Sequence, residues 1–171
     1  MFYGVSSYNV DTNSKGKEGV ALTEDNYAYI LVEYEPYWKK RIEQHRKGVN
    51  NQAFVRRGKV GPKDTNTLLF YVKFPVGEVK GYGEFLERIS GASDELWNKY
   101  GSETVFESKD GYDEFVEGRD KVTLVRFKNL QELDKPLPWK DLAVTLGIKK
   151  MPNGGRYISR ETLNSLLKKE L

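Results

Sequence analysis

Cysteine is absent from the 171-residue chain, and histidine occurs once, as His45. Disulfide staples, thiolate nucleophiles and thiolate or imidazole-rich metal centres are therefore excluded. Any metal site would have to be made of carboxylates and water. No apolar run approaches the about 20 residues that a membrane helix needs. The start, Met1-Phe2-Tyr3-Gly4-Val5-Ser6, has neither the basic leader nor the apolar centre of a secretory signal. These absences describe a cytoplasmic protein with no membrane partner and no expected cofactor. Its length suits one domain with a core large enough to do without cross-links.

What is present is charge, unevenly placed. The formal net charge is only +3, yet Glu35 to Lys63 holds nine cations against two acids, and Glu84 to Asp120 holds eleven acids against four cations. A basic face and an acidic face are expected, the first suited to a polyanion and the second, residues 94–120, to a basic protein partner. Solvated helix faces would give the same counts.

The polar segment Asp11 to Gly19 follows a short expected strand at Phe2 to Ser7, so residues 1–25 form an N-terminal extension and residues 26–171 the domain. Tyr27 to Tyr34 is aromatic and β-branched and is halted by Pro36, which predicts a central strand. Pro36 suits the first turn of a helix running to Lys47 and stopped by Gly48, with Tyr37, Trp38 and Ile42 on its apolar side. Ala53 to Val55 and Thr67 to Phe74 read as strands. Val76 to Ile89, interrupted by Gly77, Gly81 and Gly83, reads as a bent strand with bulges. Ser93 is placed as the cap of a helix over Asp94 to Tyr100, and Gly111 to Glu117 as a second helix. Val122 to Lys128 alternates as a strand, which the chain is expected to leave at Leu130 on its way to Pro136 and Pro138. Trp139 to Leu146 is a helix, Gly154 to Ile158 a strand, and Ser159 caps a last helix to Leu167. Some six strands with short helices and no repeating strand–helix rhythm predict an α+β barrel.

Gly77, Gly81 and Gly83 do not have the strand–turn–helix setting of a phosphate-cradling loop. The carboxylates Asp110, Asp113, Glu114 and Glu117 fit a solvated helix face as well as a divalent site. His45 lacks a nearby nucleophile. More telling is the interleaving of rings and cations in Tyr37-Trp38-Lys39-Lys40-Arg41 and Phe54-Val55-Arg56-Arg57-Gly58-Lys59, the pairing that single-strand binders use for base stacking and phosphate contact.

The run from Tyr29 to Ile42 through Pro36, closed by Gly48, resembles the strand-then-helix opening of the ASCH-type branch of the PUA-like superfamily. Glu95 to Gly101, Tyr112 to Lys121 and Leu133 to Pro138 are similar to further segments of that family, in the same order. The resemblance implies a PUA-like mixed β-barrel of five or six strands with a cleft for RNA or a modified nucleoside. Some members hydrolyse acetylated cytidine and some are assigned ribonuclease activity. Relatives of the EVE and YTH type use aromatic cages for methylated bases and can target DNA-restriction machinery; Trp38, Tyr71, Trp97 and Tyr157 are candidate walls.

In the amidohydrolases of the family, a Gly-Glu-Lys-Thr-x-Glu-x-Arg-type element follows the first helix and carries the catalytic Lys and Thr. Here the segment is Gly48-Val49-Asn50-Asn51-Gln52-Ala53-Phe54-Val55-Arg56-Arg57. Neutral amides neither activate a nucleophile nor serve as one, though they read base edges well. No catalytic residue is therefore assigned. The expectation is a nucleic-acid-binding module for RNA or a modified base, with DNA as an alternative. Lys39, Lys40, Lys47, Arg56, Arg57 and Lys59 are expected on phosphates, Asn50, Asn51 and Gln52 near a base, and Trp38, Arg156 and Tyr157 beside it. A hydrolase that uses Lys47 with Glu84, or Tyr157 with Arg156, is the competing reading.

Overall fold

The structure, a computed structural model, describes residues 24–58 and 60–167. The expected N-terminal strand and polar loop, and Lys59, lie outside these residues. In chain order the elements are β1 (Ala28–Glu33), α1 (Glu35–Arg46), β2 (Gln52–Arg56), β3 (Thr67–Val72), β4 (Glu78–Ala92), α2 (Ser93–Tyr100), α3 (Lys109–Val116), β5 (Lys121–Pro138), α4 (Trp139–Leu146), β6 (Arg156–Ile158) and α5 (Arg160–Leu167).

Among the described residues the strands form one mixed sheet in the order β2-β5-β4-β3-β1-β6. β1 and β3 are parallel, with Ala28 opposite Thr67 and Glu33 opposite Val72, and every other neighbouring pair is antiparallel. The apolar run ahead of Pro36 thus becomes an interior strand, as its composition requires. Its side chains alternate: Ala28 and Ile30 pack toward α4 and α5, whereas Tyr29 and Leu31 pack with Trp38 and Ile42 of α1. β3 repeats the division, with Leu69 and Tyr71 on one side and Leu68, Phe70 and Val72 on the other. A third cluster joins Ala53 and Val55 of β2 to Leu96 of α2 and Tyr112 and Val116 of α3.

The sheet is bent by irregularities in the β4–β5 register at Val79/Gly81, Tyr82/Glu84 and Phe85/Glu87. Gly81 is required here, because a Cβ would sit 2.5 Å from the Gln131 carbonyl oxygen and 2.7 Å from the Trp38 ring. The bend swings the two edges toward each other. A Cβ placed on Gly154, just before β6, would lie 2.6 Å from Val60 and 3.7 Å from Arg56 Nη2 at the end of β2. No hydrogen-bonded pair joins these edges among the described residues, so the α+β sheet curls like a barrel wall without a closing ladder.

Three local expectations are revised. β5 does not end near Leu130 but runs to Pro138. Beyond Phe127 its only strand partner among the described residues is β4, and Trp139 N–H bonds to the Gly77 carbonyl, so the positions of Pro136 and Pro138 that lack an N–H face away from that partner. Ser93 is the first residue of α2 rather than its cap, and its carbonyl accepts from the Tyr112 hydroxyl at 2.9 Å. α3 begins at Lys109, capped by the Ser108 hydroxyl, which accepts from Gly111 N–H at 3.2 Å. No helix among the described residues is long and apolar enough to cross a membrane.

Candidate nucleic-acid interface

The end of β1, the inner face of α1, the end of β2 and the segment entering α3 surround a cleft of about 380 Å³. Pro36 starts α1 so that Tyr37 and Arg41, one turn apart, both face it. Tyr34, Tyr37, Phe54, Phe106 and Phe115 supply its aromatic lining. The Tyr37 ring sits at the centre, edge-on to Tyr34 (6.2 Å), Phe106 (5.7 Å) and Phe115 (5.8 Å). Such edge-to-face contacts fix ring orientation beyond what burial alone does. Burial also pushes the Tyr37 phenol above its usual range, so it stays a neutral donor.

The floor is ionic. Arg41 donates through Nε to Glu33 Oε2 at 3.1 Å and through Nη2 to Glu33 Oε1 at 2.7 Å, and both side chains are 2% exposed. Its third arm reaches Gln52 Oε1 at 3.3 Å, while the Gln52 amide donates back to the Arg41 carbonyl at 3.1 Å. The guanidinium lies between the rings of Phe54, Phe70 and Phe127, 5.3 to 5.9 Å from their centroids. A forked carboxylate pair of this kind holds its partners in one geometry, which makes the floor rigid.

Cations stand at the rim. Arg57 donates to the Phe115 carbonyl at 2.7 Å, stacks 4.7 Å from that ring and lies 3.7 Å from Glu117. Arg56 leans on Phe54 at 5.6 Å, and among the described residues its guanidinium has neither a hydrogen-bond nor an ion-pair partner. Burial pulls its pKa below the ordinary arginine value, with Tyr29 acting the other way. A half-buried cation without an anion favours a ligand that brings one.

No family model matches the sequence, and no curated protein matches it. Solved structures do. The crystal structure of ASCH from Zymomonas mobilis superposes with a TM-score of 0.70 at 20% identity, covering 84% of this chain and 96% of that one. A serine-to-alanine variant of the same protein gives 0.71 at 20% identity, over 86% and 99% of the two chains. The fold is that of an ASCH-type domain. A hypothetical protein from Leishmania major is more distant, with a TM-score of 0.51 at 14% identity over 86% of this chain and 96% of that one.

Within this ASCH-like fold the expected site residues separate into groups. Arg56 and Arg57 are brought together at the cleft. Lys39 and Lys40 are exposed elsewhere on α1, with Lys39 3.7 Å from Glu35, and Lys47 is 3.4 Å from Glu43. Trp38 is not a stacking platform, because it is buried against Phe70. Gln52 is not a base reader either, being fully buried on Arg41. Asn50 and Asn51 are exposed. Asn50 Oδ1 accepts from Asn129 N–H at 3.1 Å, beside a separate hollow lined by His45, Tyr82 and Glu84. Arg156 bonds weakly to the Tyr157 carbonyl at 3.4 Å, and the Tyr157 hydroxyl accepts from Lys63 N–H at 2.8 Å.

The suggested cage does not assemble. Trp38 lies on Phe70, Tyr71 on Trp139, Trp97 on Tyr112 and Tyr157 on Tyr29. Nor do Lys47 and Glu84 pair among the described residues, since Lys47 holds Glu43 and Glu84 accepts from Asn129. On the acidic stretch, Lys109 bridges Asp94 and Asp113, and Glu103 binds Arg126, so part of that charge is neutralised internally. Sequence reasoning missed Glu33, Tyr34, Arg41, Phe106 and Phe115 as cleft residues. One signal was available: Glu33 is a lone charge in an apolar strand and requires a buried partner.

Proposed function

We propose that the protein is a nucleic-acid-binding module that takes an unpaired base of a single strand, RNA before DNA, between the rings of the cleft. Arg56 and Arg57 then lie on the flanking phosphates. The observation that carries this reading is the half-buried Arg56 at the mouth of an aromatic cleft, a cation with no anionic partner among the described residues. A cleft of about 380 Å³ lies within the range of small-ligand pockets and suits a planar heterocycle. Stacking is indifferent to sequence, and the arginines add affinity through phosphate charge. The ASCH-type fold and the ring–cation interleaving of the sequence agree with this use. A binding role is also favoured over hydrolysis by the segment after α1, where Asn50 and Asn51 are neutral and Gln52 is committed to Arg41.

Arg56→Ala combined with Arg57→Ala tests it. The double variant is expected to bind fluorescently labelled single-stranded RNA at least about tenfold more weakly than the parent, two charge-assisted contacts being lost. Circular dichroism should show the fold retained, because neither arginine belongs to the core. Equal binding would move the site away from this cleft.

A further inference from the structure

The geometry points to a second stacking position outside the cleft, formed by Tyr34, Lys73 and Phe74, that holds the nucleotide next to the one in the cleft; it rests on the binding reading above. Phe74 is 86% exposed, the most exposed large hydrophobic side chain among the described residues. A single exposed ring is common on protein surfaces. This one is not isolated. Lys73 N–H donates to the Glu33 carbonyl at 3.0 Å, which carries the β1–β3 pairing one residue further and sets Lys73 beside Tyr34, with Phe74 the next residue along the chain. Tyr34 is itself 54% exposed, lines the cleft, and carries the Lys73 ammonium 4.1 Å from its ring centroid.

The enclosed rings of Tyr37, Phe106 and Phe115 lead to Tyr34 at the lip, Tyr34 carries Lys73, and the exposed Phe74 follows Lys73 in the chain. Cations accompany the rings throughout, with Arg56 and Arg57 on the cleft and Lys73 at the lip. Alternating flat apolar faces with positive charge matches a single strand, which presents bases and phosphates at similar intervals. An apolar peptide would leave the cations without partners. The ligand is accordingly a strand of two or more nucleotides rather than a free nucleoside, with the outer base stacked on Phe74 and its phosphate on Lys73.

The test compares nucleoside 5′-monophosphates with a random-sequence RNA tetramer on the parent protein and on Phe74→Ala. The parent should bind the tetramer more tightly, and Phe74→Ala should shrink the tetramer-to-monophosphate affinity ratio at least about fivefold, the loss of one base–ring stack. Phe74→Trp supplies a direct readout, since its indole emission should be quenched by the tetramer and not by the monophosphates. An unchanged ratio, or an unquenched indole with the tetramer bound, overturns the outer position and leaves the cleft reading intact. Failure of the parent to bind either ligand overturns both.

Discussion

Glu33 and Arg41 are the two residues on which the cleft floor depends. Burying both ions costs several kcal/mol each in desolvation, which their forked contact and the Gln52 amide offset. Removing one partner strands the other. Glu33→Ala should therefore destabilise the fold by about 3–5 kcal/mol in urea unfolding. Glu33→Leu with Arg41→Met should recover much of that loss, because no charge is left behind. A Glu33→Ala protein as stable as the parent would show that water reaches Arg41. At this scale the sequence was partly misleading. Lys39, Lys40 and Arg41 look like one basic patch, but Trp38 and Ile42 set the helix phase, and that phase turns Arg41 inward while its two neighbours stay in solvent. A run of like charges does not reveal such a split until the partner, Glu33, is placed opposite.

Among the elements, β6 shows how little sequence secures an edge. Its three residues pair with β1, and the chain reaches them through Gly155, whose φ is +84°. A Cβ there would fall 1.9 Å from the Ile30 carbonyl oxygen. Gly155→Ala should cost more than about 1 kcal/mol, from backbone strain and lost β1–β6 pairing. Gly58→Ala, with open space around it, should be nearly neutral, and thermal melts of the two variants give the comparison. Most elements were legible from composition, turn residues and Pro36. The far half of β5 was not, because prolines ordinarily argue against a strand and only the sheet order shows that this edge needs no donors. The cleft rings Phe106 and Phe115 escaped notice for a similar reason. They lie more than fifty residues beyond Tyr37 and meet it only through tertiary packing.

For the whole molecule, the basic stretch and the cleft coincide only in part. Of the cations between Glu35 and Lys63, Arg56 and Arg57 stand at the cleft rim, Arg41 is its floor, and Lys39 and Lys47 lie near helical acids. The expected α+β architecture and the ASCH-type resemblance agree with the fold, since order along the chain and apolar alternation survive where individual contacts do not. On the proposed function, the protein binds single strands through few cations and several rings. The most direct measurement is fluorescence anisotropy of a labelled RNA single strand and of the matching duplex over a range of salt concentrations. With Arg56, Arg57 and Lys73 on phosphates, the single strand should bind more tightly than the duplex, and log K should fall with log salt at a slope of roughly −2. No binding at low salt, or a duplex bound as tightly as the strand, would contradict it.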